Sequence, residues 1–145
     1  MYDEILVPTD GSDAARHALR QAIDLATQYD ARLHALYVKD TSAYTSLEGA
    51  GGSVLAAMET EGERAVSEVE DAATDAGVDV VTAVVEGAPH RAIVDYVEDN
   101  DVDLVVMGTH GRHGIERYVL GSVTERVVRS SPAPVLTVRQ TDSNA

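Results

Sequence analysis

The chain has 145 residues, 44% of them apolar, and a formal net charge of −14 with histidines neutral, which suits one domain with a real core and excludes a membrane helix, since no apolar run approaches the required length of ~18–20 residues. Zero cysteines exclude disulfides, thiolate zinc sites and a cysteine nucleophile, and an acidic chain whose sole lysine is Lys39 is a poor partner for nucleic-acid backbones. The acidic opening Met1-Tyr2-Asp3-Glu4 lacks the parts of a signal peptide, so the expectation is a cytoplasmic protein with no membrane or nucleic-acid partner, and its acidic, lysine-poor composition suits a salt-rich interior.

Ile5, Leu6, Val7 and Pro8 read as a first strand, ended by the turn and capping residues Thr9, Asp10, Gly11 and Ser12. Ala15, Ala18, Leu19, Ala22, Ile23 and Ala26 then recur at helical spacing and predict a first helix ending near Tyr29. Leu33 to Val38 is a second strand, and residues 39–53 carry no periodicity and read as a mobile loop. A second helix is expected from about Val54 to Ala76, with Ala65, Val69, Ala72 and Ala76 on its inner face, Gly62 as a local weakness and Gly77 as its stop.

Val78 to Val85 is a third strand, and Pro89 suits the first turn of a third helix carrying Ile93, Tyr96 and Val97. Leu104 to Met107 is a fourth strand, Val123, Val127 and Val128 mark a fourth helix that stops before Pro132, and Val135 to Val138 is a fifth strand. Residues 1–140 therefore make one domain and 141–145 a polar tail. Strands alternating with helices imply a doubly wound, Rossmann-like α/β domain, a parallel sheet with helices on both faces. Such sheets bind ligands outside the carboxyl ends of their strands, where strand order reverses; the loops after Asp10, Val38 and Gly108 would line that crevice.

The run Gly-Thr-His-Gly-Arg-His-Gly-Ile-Glu-Arg-Tyr-Val-Leu-Gly-Ser from Gly108 to Ser122 has the makings of a phosphate loop. Its glycines permit positive φ and close backbone approach, and a helix begins behind it. Residues 108–130 hold Arg112, Arg117, Arg126 and Arg129 against Glu116 and Glu125, so the most positive stretch of an acidic chain coincides with its glycine-rich loop.

The spacing Gly108, Gly111, Gly121-Ser122, together with the Ile-Leu-Val-Pro-Thr-Asp-Gly-Ser opening and the closing Gly-Ser-Val-Thr-Glu-Arg-Val-Val-Arg-Ser-Ser-Pro-Ala-Pro-Val-Leu-Thr-Val, resembles the universal stress proteins over nearly the whole chain. The resemblance implies a five-stranded sheet of order 3-2-1-4-5, as in adenine nucleotide alpha hydrolase-like folds, and a homodimer formed partly through the strand Val135 to Val138. In the nucleotide-binding branch it also implies ATP in the crevice. There Pro8 and Asp10 lie near the ribose, the backbone at Val38 meets adenine, Met107, Gly108 and Gly111 lie under the nucleotide, and Gly121, Ser122 and Val123 meet the phosphates.

Each of these residues also has a plainer role. Ser122 with Glu125 reads as a Ser-x-x-Glu capping box, Asp10 as a helix cap or Asx-turn as well as a ribose or Mg²⁺ ligand, and Arg112 as a phosphate clamp or a solvated loop residue. His110 and His113 lack further metal ligands at suitable spacing, while His17, His34 and His90 read as structural or surface residues. Three functions follow: an ATP-binding regulatory protein that binds without turnover, a dimeric scaffold that needs no nucleotide, and a slow ATPase. The last is the weakest, because there is no Gly-x-x-x-x-Gly-Lys-Ser/Thr loop and Lys39 lies outside the glycine run.

Overall fold

A computed structural model describes residues 1–41, 51–109 and 121–139, with the backbone alone for 51–55. Nine elements alternate along these residues: β1 (Glu4–Pro8), α1 (Asp13–Tyr29), β2 (Arg32–Asp40), α2 (Gly51–Asp75), β3 (Val80–Gly87), α3 (Pro89–Asp99), β4 (Leu104–Gly108), α4 (Ser122–Ser130) and β5 (Val135–Val138). The strands form one sheet of order β3-β2-β1-β4-β5, parallel throughout, as expected.

Side-chain alternation along the strands sorts the core into two layers. Ile5, Val7, Leu33, Ala35, Tyr37, Leu104 and Val106 pack with α1 and α2, while Leu6, Leu36, Val105 and Met107 pack with Ile93, Val97 and Val127 of α3 and α4. Residues such as Ile5, Leu6, Leu33, Leu36 and Val106 are fully buried, each worth roughly 1.5–3 kcal/mol of transfer free energy. The α1 stripe is buried as expected at Ala15, Ala18, Leu19, Ala22 and Ala26, whose small side chains let the helix lie close to the sheet.

Several boundaries and faces differ from expectation. β2 runs on through Lys39 and Asp40, which pair with Glu86 and Gly87 of β3, so Lys39 is a strand residue rather than a loop residue. Its ammonium bonds Glu59 and lies 3.3 Å from Glu86, clamping α2 and β3 together. The inner face of α2 is Ala65, Val66, Val69 and Ala73, with Ala72 only half-buried and Ala76 exposed beyond the helix end. Gly62 has a packing reason: a Cβ there would stand 2.6 Å from Cδ1 of the buried Tyr37 ring. Val128 lies outside the core, 44% exposed. Residues 42–50 and 140–145 of the expected loop and tail lie outside the described residues.

Candidate functional site

Strand pairing opens a crevice at one end of the sheet. β1 registers with β2 along its whole length, from Glu4↔Arg32 to Pro8↔Leu36. With β4 it registers at Ile5↔Leu104 and Leu6↔Val105. Val7 and Pro8 thus part from the end of β4 at the point where strand order reverses, the position at which open α/β sheets take ligands.

The wall on the β2 side is backbone. Thr9 donates its N–H to the Leu36 carbonyl at 2.8 Å, which fixes the direction of the polar groups of Leu36 toward β1. Successive residues of a strand alternate sides in the ladder, so Val38 also directs its N–H and C=O toward β1, beyond that strand's last paired residue. A planar ring with one donor and one acceptor on its edge would find both complements there. The Val38 side chain itself packs on the α3 and α4 layer.

After Pro8 the chain turns sharply. The Asp10 carboxylate accepts from the Ser12 N–H at 3.0 Å, Thr9 Oγ1 accepts from the Gly11 N–H at 3.1 Å, and the Ser12 hydroxyl accepts from the Ala15 N–H at 3.2 Å. Gly11 has φ +78°, which suits glycine. Asp10 therefore makes the Asx-turn, and the cap of α1 is Ser12.

The opposite wall is the end of β4 and the start of α4. Of the two things glycine permits, positive φ belongs among the described glycines to Gly11, Gly77 and Gly87, and Gly108 uses close approach. A Cβ on Gly108 would meet Ala14 at 3.0 Å, so glycine eases the close approach of β4 to α1. Met107 is buried in the α3 and α4 layer, and its backbone polar groups face β5, as those of Val105 and Thr109 do, so it offers a ligand packing surface and no hydrogen bond. Gly111 and Arg112, with His110 and His113, lie outside the described residues.

The expected Ser122 capping box does not form. Gly121 is the N-cap, at φ −63° and ψ 156°, and Ser122 is already the first helical residue, so Glu125 falls one position too far along to complete the box. The Glu125 N–H bonds the Gly121 carbonyl at 2.9 Å, and its carboxylate pairs with Arg129 at 2.9 Å, one turn toward the far end of the helix. No side chain caps α4 among the described residues. Its first N–H groups, at Ser122 and Val123, carry the positive end of the helix dipole toward the crevice, as an anion site requires. Ser122 is exposed and Val123 half-buried.

Thr124 was not among the expected site residues. It is 3% exposed and donates its hydroxyl to the Gly108 carbonyl at 2.9 Å. Its spacing of three from Val127 puts it on the inner face of α4, which is the one hint the sequence holds.

The crevice thus offers a backbone edge at Val38, a polar turn at Asp10 and an uncapped helix start at Ser122. Among the described residues no group of three or more His, Asp or Glu side chains is placed to hold a metal ion by itself, and no helix is long and apolar enough to cross a membrane.

Known proteins share this architecture. A model of the universal stress protein family matches residues 1–139. The chain is 40% identical over 142 residues to universal stress protein MJ0531 of Methanocaldococcus jannaschii, covering 97% of this chain and 84% of that one. The solved structure of protein MJ0577 from the same organism is similar at a TM-score of 0.88 and 34% identity, covering 99% of both chains. A universal stress protein solved in complex with cAMP is similar at a TM-score of 0.70 and 30% identity, covering 97% of this chain and 98% of that one.

Proposed function

This chain belongs to the universal stress protein family, and from that premise we propose that it is an ATP-binding regulatory protein whose output is binding rather than turnover. The observation that carries the proposal is the parting of β1 from β4 beyond Leu6↔Val105, with the Val38 backbone on one side and the uncapped start of α4 on the other. The similarity to a universal stress protein solved with cAMP supports an adenine nucleotide as the ligand class.

In this arrangement adenine hydrogen-bonds the Val38 backbone and the ribose lies against Pro8 and Asp10. The backbone of Met107, Gly108 and Gly111 lies beneath the nucleotide. The N–H groups of Ser122 and Val123 hold the phosphates, which also pass against Gly121, whose own N–H serves Thr109, with Arg112 as a clamp. Mg²⁺ would arrive with the phosphates, neutralising charge in a protein whose own field repels anions. Asp10 is its candidate protein ligand.

Turnover has little machinery here. Lys39, the one lysine, is held by Glu59 and Glu86 on the α2 side of the sheet. Those carboxylates, Glu59 first, hold its ammonium above its ordinary pKa, so it is neither a free phosphate ligand nor a base.

The second part of the proposal is a homodimer through β5. Leu136 of that edge strand is 38% exposed, apolar surface that a second copy would cover. The nucleotide would alter this surface through Thr109, which accepts from the Gly121 N–H at 2.6 Å and donates to the Val138 carbonyl at 3.1 Å.

Calorimetric titration of Mg-ATP into nucleotide-free protein in high KCl, followed by an assay for ADP, tests the proposal. Saturable heat with ATP left intact is expected. Saturable heat with linear ADP release that disappears in Asp10→Ala would make the protein a slow ATPase, and absence of heat from folded protein would make it a scaffold.

A further inference from the structure

We infer that Thr124 is a positioning residue for the phosphate end of the site, holding the start of α4 in register with the end of β4; this rests on the nucleotide-binding proposal above.

Two hydrogen bonds join these elements directly, independent of the chain that runs between them. The Thr124 hydroxyl donates to the Gly108 carbonyl at 2.9 Å, and the Gly121 N–H donates to the Thr109 carbonyl at 2.6 Å. Gly108 is itself packed closely on the other face, where a Cβ would stand only 3.0 Å from Ala14. One peptide segment, Gly108-Thr109, therefore locates α1 and the first turn of α4 relative to each other.

The hydroxyl is not needed to fill space. Valine has nearly the volume of threonine and would add apolar contact beside Val127, yet a buried polar group stands there. What the hydroxyl adds is direction. Packing alone lets a helix slide and rotate by fractions of an ångström, while a hydrogen bond near 2.9 Å tolerates little change in length or angle. The N–H groups of Ser122 and Val123 belong to the same turn as Thr124, so their aim at an anion is set by this bond. The base and ribose ends, at Val38 and Asp10, do not depend on it.

The test compares Mg-ATP with adenosine, titrated into nucleotide-free wild-type protein, Thr124→Val and Thr124→Ser in high KCl, with a thermal melt of each. Thr124→Val is expected to bind ATP about tenfold more weakly, the scale of one lost buried hydrogen bond, while its adenosine affinity stays within about twofold and Thr124→Ser binds ATP as wild type does. Unchanged ATP affinity in Thr124→Val overturns the inference alone. A parallel loss of ATP and adenosine also overturns it, since a merely structural role gives that pattern. Wild-type protein that binds neither ligand removes the nucleotide proposal and this inference together. If Thr124→Val melts below the titration temperature, amide hydrogen exchange of wild-type protein decides. ATP should protect the Gly121 and Thr124 amides more than adenosine does, and equal protection overturns the inference.

Discussion

Gly108 and Ala14 touch almost backbone to backbone: a Cβ built on Gly108 would lie 3.0 Å from the Ala14 Cβ and 3.1 Å from its carbonyl carbon and oxygen. This contact sets the gap between the end of β4 and the first turn of α1. The obstacle is the Ala14 methyl and its backbone, which would have to give by a few tenths of an ångström. Gly108→Ala should therefore lower stability by about 1–3 kcal/mol, the usual cost of overpacking, read as a lower urea midpoint at unchanged slope. It should also weaken ATP binding, because the Asp10 turn precedes the same helix.

Gly62 offers a contest between two effects of known size. In an open helix, Gly→Ala stabilises by about 1 kcal/mol. Here the new methyl would lie 2.6 Å from Tyr37 Cδ1, in a ring that is buried against the sheet. Overpacking, at about 1–3 kcal/mol, outweighs the helix gain, so Gly62→Ala should unfold at lower urea than wild type. A higher midpoint would show that Tyr37 has room to move.

At the far end of β1 from the crevice, Glu4 accepts from His34 Nε2 at 2.6 Å and from Arg32 Nε at 2.9 Å, and His34 Nδ1 meets the Tyr96 hydroxyl at 2.7 Å. An ionised carboxylate only accepts, so Nε2 carries a proton; burial raises the Tyr96 pKa and keeps its hydroxyl protonated. Burial would raise the Glu4 carboxyl too, but the hydrogen bonds from Arg32 and His34 outweigh it and hold the group below its ordinary value. A depressed carboxyl contributes stability that is complete above its unfolded value of about 4.3 and is lost as pH falls through the folded value. Urea midpoints measured from pH 7 downward should decline through that window, and Glu4→Gln should begin lower and decline less.

A net charge of −14 on 145 residues destabilises the compact state by self-repulsion, which salt screens over a Debye length of about 10 Å at 0.1 M and about 3 Å at 1 M. The melting temperature should rise as KCl is raised through that range. A flat or falling melting temperature would separate this acidic composition from any adaptation to salt.

The sequence was most legible where one local rule decided the outcome. Alternation of strands and helices implied the doubly wound sheet, Pro89 marked the start of α3, and a single alanine stripe oriented α1 without ambiguity. The reading failed where distant partners decide. Alanines lie on both sides of α2, so its inner face depends on what the sheet presents, and it settled on Ala73 rather than Ala72. Lys39 and Asp40 look like loop residues until β3 is alongside them. Gly121 and Ser122 are both acceptable N-caps, and the Gly121 bond to Thr109 selects the former. Thr124 and His34 are polar residues in buried positions, each satisfied by a partner far away in sequence, at Gly108 in one case and at Glu4 and Tyr96 in the other. No local pattern announces such pairs.

The central claim is that phosphates sit on the uncapped start of α4, and Ser122→Asp tests it while leaving the fold in place. An aspartate in the first helical turn suits the dipole and should hold or raise the melting temperature by a few tenths to about 1 kcal/mol of helix stability. The same carboxylate would stand where the phosphates arrive. Equilibrium titration of Mg-ATP into wild-type protein and Ser122→Asp, side by side in high KCl, should give saturable binding in the first and at least about tenfold weaker binding in the second, the effect of about 1.4 kcal/mol of lost interaction. Equal ATP affinity in a variant that melts no lower than wild type would contradict the account, placing the phosphates, if they bind at all, away from α4.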